Sequence, residues 1–555
     1  MRISPLVALC LLGLVPSGAT LAQSEQHGRH DDAGHAGAVG IGAVHFANSG
    51  NAASQAPFQR GIALLHNFAY RQAAQAFRDA ERADPTLAVA YWAEALTYSH
   101  LLWSTEDTSA SHMALRRLAP TAAERLARAR SARERDFGAA VEALFQDATV
   151  PVRAHAFGDS MRAFAARYPT DLEATAFGAL GVIIDWYQGG LQDSASAAAQ
   201  EEAIVLAERV FRTSPQHPAG AHYLIHATDD PKRAARGLAA ARAYARIAPS
   251  VGHALHMPSH IFVQTGLWPD LVASNVRAWA ASRANIAEER LSTAELDFHS
   301  LAWLTYGYLE QGRFRSARAT VDTADAVLRG VNLPIGSPDA RYARSWQSFM
   351  YAMETDDWSA YRPSWGEATP DTSTARAVSF AITSAYQHAV AAAMLGDTAS
   401  ASANWLLAYA VAHPSIARRA GALNRGILHL AALSARGRGD TVTELAILTR
   451  AAAADDSAGA PIGPPSILRS HELLGAALLR AGRASDAVSA YQRALAQTPN
   501  RSAALLGLAR AQAAVGNAAA AREAYGALAT NWRTADVDFP ALTEARQRSA
   551  APKRP

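Results

Sequence analysis

Cysteine is almost absent from this chain of 555 residues: Cys10 stands alone, inside the apolar run of MRISPLVALCLLGLVPSGATLAQSEQ. One Arg precedes that run, and Thr20 and Ala22 satisfy the small-residue rule for cleavage before Gln23. Residues 1–22 therefore read as a signal peptide cleaved near Ala22, and the expected location is periplasmic or secreted. Because Cys10 lies within the run and not at its end, a lipoprotein anchor is disfavoured. A mature chain without cysteine has no disulfide framework, no thiolate metal ligand and no Cys nucleophile. Runs of Lys and Arg are also missing, and the formal net charge is only +3, so no nucleic-acid footprint is indicated. No other apolar run is long enough to span a membrane. The chain has no G-x-x-x-x-G-K-[ST] loop, no H-E-x-x-H and no G-x-S-x-G elbow, and no nucleotide cofactor is expected.

What is present is helical. Half of the residues are hydrophobic, ample for a sizeable core. Apolar residues recur at spacings of three and four, alanine is abundant, and β-branched runs are lacking. A longer period lies over this one. Leu474, Gly482, Ala487 and Tyr491 recur as Leu508, Gly516, Ala521 and Tyr525, each displaced by 34 residues. That is the length of the tetratricopeptide unit, in which small residues let two antiparallel helices approach and a glycine turns the chain between them. The match loosens where Ala494 becomes Leu528. Ala73, Phe77, Ala80 and Pro85 carry the same marks, as do Gly396, Ala401, Trp405 and Ala408. The spread predicts an all-α, tetratricopeptide-like solenoid of antiparallel helix pairs.

Composition suggests divisions. Residues 23–56, rich in Gly, Ala, Ser and His, read as a flexible lead-in, so His27, His30 and His35 fall in a tail and not at a site. PSWGEATPDTSTA (363–375) and DDSAGAPIGPPS (455–466) read as linkers. They separate an N-terminal array (57–362), middle repeats (376–454) and a C-terminal pair (466–550).

Of the 19 histidines, seven lie between His217 and His299, against about three for an even spread. With Gly266 and Gly312 as turn glycines, His253, His256 and His260 fall at the second, fifth and ninth positions of one repeat, and His299 at the second of the next. A looser register from Pro249 places His222 and His226 at the fifth and ninth. These positions line the groove of such arrays, so three successive first helices aim six histidines at one hollow. Pro258 either opens its helix, leaving His253 and His256 on the entering loop, or kinks it. His222, His226, His253, His256, His260 and His299 are thus the candidate metal ligands, with His256 and His260 foremost. Imidazole without thiolate suits Zn or Cu, then Fe or Ni. Asp229, Asp230, Glu295 and Asp297 are candidate oxygen donors. Any one of these histidines taken alone reads better as a core or groove residue; the shared phase makes the case. His66, His100, His388, His413, His429 and His471 are read as structural. Ser259 lies between two histidines but lacks an identifiable orienting group. Trp92, Trp103, Trp268 and Trp303 read as packing.

AVHFANSG, FQRGIALLHNFAYRQAAQAF, AVAYWAEALTYSHLLW, AHYLIHATDDP, HALHMPSHIF and DFHSLAWLTYGYLEQGR resemble segments of a broad group of exported, tetratricopeptide-like bacterial proteins. The resemblance covers residues 43–315, with Ala93 where the group has Gly. It implies the fold and marks the histidine motifs, without implying a reaction. The expectation is a binding scaffold whose concave groove takes a protein or peptide, or a small molecule at the metal. The alternative is a metal-dependent hydrolase or oxidoreductase using the same histidines.

Overall fold

A computed structural model describes residues 40–100, 102, 105–189, 193–330, 338–362, 375–397, 399–404, 420–458 and 463–550. The signal segment, His27, His30, His35, Trp103, Trp405, Ala408, His413 and residues 363–374 lie outside these. The described chain is a succession of packed helices, from Ala52–His66 and Tyr70–Ala83 to Ala518–Asn531 and Pro540–Ser549. The one departure among the described residues is a short antiparallel pairing of Ser99–His100 with Thr105–Glu106. The predicted all-α, tetratricopeptide-like helical solenoid is therefore what forms.

The turn chemistry explains the regularity. Gly266 and Gly312 sit at φ 65° and 66°, where an L side chain is strained. Each ends a helix in the same way: Leu267 N–H reaches Phe262 O and Arg313 N–H reaches Tyr308 O, both at 2.8 Å. This six-to-one bond closes the orphan carbonyls of the first helix and sends the chain back as the second. Gly482 and Gly516 repeat it, Arg483 and Asn517 donating to Leu478 O and Gln512 O. Between the C-terminal pairs, the Tyr491 ring lies where a Cβ on Gly475 or Gly507 would be, at 2.7 and 2.1 Å. The small residues are there to admit that ring.

Two expectations about organisation fail. The lead-in is not a tail as far as residue 56. From Gly40 onward it is strapped to the array, with Ser250 N–H on Gly40 O and Ala43 N–H on Gln216 O, both 3.0 Å. Phe46 is fully buried, edge-on to Phe58, Phe137 and Phe177. The sequence hid this because a lone Phe among Gly, Ala and Ser has no periodicity. Nor do the linker-like stretches set the C-terminal pair apart, since Gly37–Pro555 is one compact unit. Residues 455–458 close the helix Thr441–Ala458. Trp268 Nε1 donates to Asn500 O at 2.9 Å, and Asn500 Nδ2 to Gly266 O at 2.9 Å. Arg501, 1% exposed, pairs with Glu310, Glu354 and Glu472 at 2.5 Å each. The C-terminal repeats are thereby fastened to the helix Phe298–Glu310, on which His299 sits.

Candidate metal centre

Four helical segments carry the six histidines. His222 and His226 are one turn apart on Pro218–Ala227, where Pro218 starts the helix and its ten residues are all buried. His253 and His256 lie on the short helix Gly252–His256, His260 on Pro258–Thr265 and His299 on Phe298–Glu310. Pro258 opens its own helix, yet Met257 before it keeps helical angles (φ −53°, ψ −34°). His253 and His256 are thus on one helical turn, not a loop, both before the joint, yet their rings part into different groups.

The division creates two sets of three. His222, His226 and His253 form one; His256, His260 and His299 form the other. Within each, one nitrogen per residue lies within 4.8 Å of the others. In the first set His222 Nε2 is 3.0 Å from His253 Nε2 and 3.1 Å from His226 Nε2. Tetrahedral ligands at the usual Zn–N distance of about 2.0–2.1 Å stand ~3.3 Å apart, so this set is nearly at ligating spacing. In the second, the ring centroids of His256 are 5.2 Å from His260 and 4.8 Å from His299. His226 and His260 meet across the sets, centroids 6.4 Å apart.

The far side of each ring decides which nitrogen is offered. His222 Nδ1 is 2.7 Å from the His66 carbonyl, which can only accept, so Nδ1 carries the proton and Nε2 the lone pair. His256 Nδ1 donates to Asn275 Oδ1 at 2.7 Å, and Asn275 Nδ2 is committed to Leu271 O, which fixes the amide. His260 Nδ1 meets Asp229 Oδ2 at 2.7 Å, and Gln264 Nε2 holds the other carboxylate oxygen at 3.1 Å. A metal-ligating histidine characteristically donates its other N–H to a carbonyl or carboxylate, which sets the tautomer. Burial lowers His222 and His256 to about 3 and holds His226 and His253 well below the ordinary histidine range, with neighbouring histidines adding to the effect. At neutral pH these four are uncharged, the form that binds a metal.

Their surroundings include a cavity of about 940 Å³ lined by His226, His253, His256, His260 and His299. His222 is the exception. It is fully buried behind the wall, stacked on Tyr244, and reaches the others only through Nε2. Phe68 and Trp303 complete the packing: Phe68 lies 4.4 Å from His222, and Trp303 lies 4.5 Å from His260 by centroid. Trp92 and Trp268 are fully buried in the core, as expected of packing residues.

The oxygen donors are placed differently from expectation. Asp229 stands behind His260, not in the ligand set. Asp230 caps the following turn, accepting from Lys232 and Arg233 N–H, and binds Gln200, so it is not at the centre. Glu295 and Asp297 reach the cavity wall, but Glu295 pairs with Arg71 and Asp297 caps its helix through Ser300 N–H. Both ligand sets are purely imidazole. Ser259 Oγ donates to His256 O at 2.6 Å, and its pairing with a histidine ring is not seen. Sequence reading missed the supports His66 O, Asn275 and Phe68, which bear no repeat spacing to the six histidines. It also missed a buried cluster in which Glu173 bridges His66 Nε2 (2.9 Å) and His217 Nε2 (3.1 Å), with Tyr223 Oη on His66 Nδ1. There burial opposes ionisation of Glu173, but the two imidazoles outweigh it and hold the carboxyl far below its usual range. A further group, the exposed His155 and Asp159 with the buried Asp185, already carries Arg162 as counter-charge.

With this geometry in view, the comparisons are brief. The tetratricopeptide repeat family matches residues 478–530, the C-terminal pair where the displacement of 34 is clearest. No curated protein sequence matches the chain. Similar solved structures include the human IFIT1 dimer with m7Gppp-AAAA, at 10% identity, covering 88% of this chain and 92% of that one with a TM-score of 0.34. The hetero-tetramer of the APC/C proteins Cut9 and Hcn1 is similar at 10% identity, 90% and 93% coverage and a TM-score of 0.32. Among the described residues the chain is a helical-repeat array, and no helix is long and apolar enough to cross a membrane.

Proposed function

We propose that the protein is an exported helical-repeat scaffold that holds a transition metal, Zn or Cu before Fe or Ni, on its histidine cavity. Convergence carries the reading: imidazoles from four helical segments present nitrogens to one place, with their Nδ1 positions occupied from behind at His222, His256 and His260. Energetics favour it. A buried acceptor without a partner costs roughly 1–3 kcal/mol, and His256 Nε2 is such an atom. A structural Zn site returns about 10–16 kcal/mol in apparent binding energy. The signal-like N-terminus supports export, into a compartment that permits Cu(II). Protein or peptide partners remain the expectation for the groove, and a small molecule for the metal.

A second reading, a metal-dependent hydrolase or oxidoreductase, is favoured by the cavity. A purely structural metal needs no void of about 940 Å³ beside it, whereas a catalytic one keeps an open position. The test is metal analysis of full-length protein purified without a polyhistidine tag. Stoichiometric metal that resists dialysis, and is removed by a chelator with a fall in melting temperature, is the expected result. Metal-free protein whose melting temperature is unmoved by added Zn or Cu would overturn it.

A further inference from the structure

We propose that the cavity holds two metal ions, one in each set of three histidines, making a dinuclear centre open to a shared small ligand. This rests on the metal reading above and goes beyond it in number and chemistry.

The first observation is that the histidines close into groups within, not across, the two sets: His222, His226 and His253, and His256, His260 and His299. His253 and His256 share the short helix Gly252–His256, three residues apart, yet their rings part: His253 turns to the helix Pro218–Ala227, and His256, with His260 just beyond the joint at Met257 and Pro258, turns to His299.

The second observation concerns lone pairs. His222 Nε2 has one in-plane lone pair, and two imidazole nitrogens stand 3.0 and 3.1 Å from it. One N–H can use that lone pair well; two cannot. In the second set His256 Nε2 is buried without a partner, its Nδ1–H being spent on Asn275. Each set therefore has its own nitrogen whose geometry a cation satisfies better than a proton. Each also has its own support, His66 O for the first and Asn275 and Asp229 for the second, so neither set is a spare for the other.

Charge is the third. Six imidazoles bound through nitrogen lone pairs leave the charge of two divalent ions uncompensated. Asp229, Glu288, Glu289, Glu295 and Asp297 line the cavity, against Arg60 among its lining residues and Arg71, which pairs with Glu289 and Glu295. The wall is net acidic, as two cations require. Three ligands per ion leave at least one position open on each. His226 and His260 approach across the sets at 6.4 Å, which puts both open positions in reach of one oxygen-donor ligand, from hydroxide to a carboxylate.

The experiment uses untagged full-length protein, stripped by chelator and titrated with cobalt(II), with bound metal counted by mass spectrometry. Two equivalents per chain are expected. The double variant His222→Gln/His253→Gln and the double variant His256→Gln/His299→Gln should each retain one. A single equivalent in the wild-type protein overturns the pair but leaves the metal reading intact; no bound cobalt overturns both. A natively helical double variant that loses both ions also overturns the pair. Should a variant fail to fold, the copper(II)-loaded wild-type protein decides alone. A half-field electron paramagnetic resonance transition from two coupled ions is expected, and a purely isolated copper signal contradicts it.

Discussion

Two buried polar clusters stand near one another in the chain's fold and solve opposite problems. At Arg501 the guanidinium is surrounded by Glu310, Glu354 and Glu472, and Glu310 also accepts from Ser502 N–H at 2.7 Å. Its donors are used up. At the histidine cavity the polarity is arranged the other way: the outer nitrogens are fixed, the inner ones converge, and space is left in front of them. The first cluster is completed by the fold and fastens the C-terminal repeats in place. On the proposed reading the second is completed by a metal, which the fold does not supply. A buried polar group that is satisfied reads as architecture, and one that is oriented but unsatisfied reads as a site.

Substitutions should separate the two. Arg501→Ala leaves three carboxylates buried without their cation and should destabilise the protein by about 3–5 kcal/mol; chemical denaturation measures this, and metal stoichiometry in the folded fraction should not change. A loss under 1 kcal/mol would mean that the node fastens nothing. Saturating metal should stabilise the wild-type protein by about 2.7 kcal/mol per occupied site at a hundredfold excess over Kd. In His226→Ala/His260→Ala, which removes a ligand from each set, most of that gain should vanish while the helical signal persists. Asp229→Ala, which frees the His260 ring, should weaken metal binding about 10–100-fold without abolishing it; unchanged affinity in a calorimetric titration would remove Asp229 from the account.

A pH series sharpens the contrast at the Arg501 node. Burial, with Glu310 and Glu472 adding, raises Glu354 to about 7 although Arg501 opposes the shift. Between 4.5, its value in an unfolded chain, and about 7, the folded protein keeps a proton that the unfolded chain gives up. This contribution to stability is full below 4.5 and is lost as pH rises through 7, at up to ~1.4 kcal/mol per unit. Glu354→Gln should flatten that part of the profile. The smallest effect belongs to Gly266→Ala, whose Cβ would meet Asn500 Cβ at 2.4 Å at a positive φ. A cost of about 1–2 kcal/mol is expected, and an unchanged melting temperature would show that the C-terminal repeats dock loosely.

Much of this was legible in the sequence because repeats repeat. Gly266, Gly312, Gly482 and Gly516 marked the turns; counting from Gly266 and Gly312 placed His253, His256, His260 and His299, and a looser register from Pro249 placed His222 and His226, on neighbouring first helices. The grouping was not legible. It depends on which way the His253 and His256 rings turn on one short helix, which their spacing of three does not decide. The supports were hidden for a different reason. His66 and Phe68 reach the centre from a segment far from it in the chain, Asn275 lies between His260 and His299 with no spacing to mark it, and the Phe46 strap has too little periodicity to announce itself. Asp229 was visible, but whether it would stand beside a metal or behind a histidine depended on the side-chain geometry.

The most direct test of the central claim is an anomalous-difference map from crystals of the untagged protein soaked in zinc, collected above and below the zinc absorption edge. Two peaks are predicted, one within about 2.0–2.1 Å of nitrogens of His222, His226 and His253 and one equally close to His256, His260 and His299. A map with no peak in the cavity, while the histidines keep the positions described, would contradict the account.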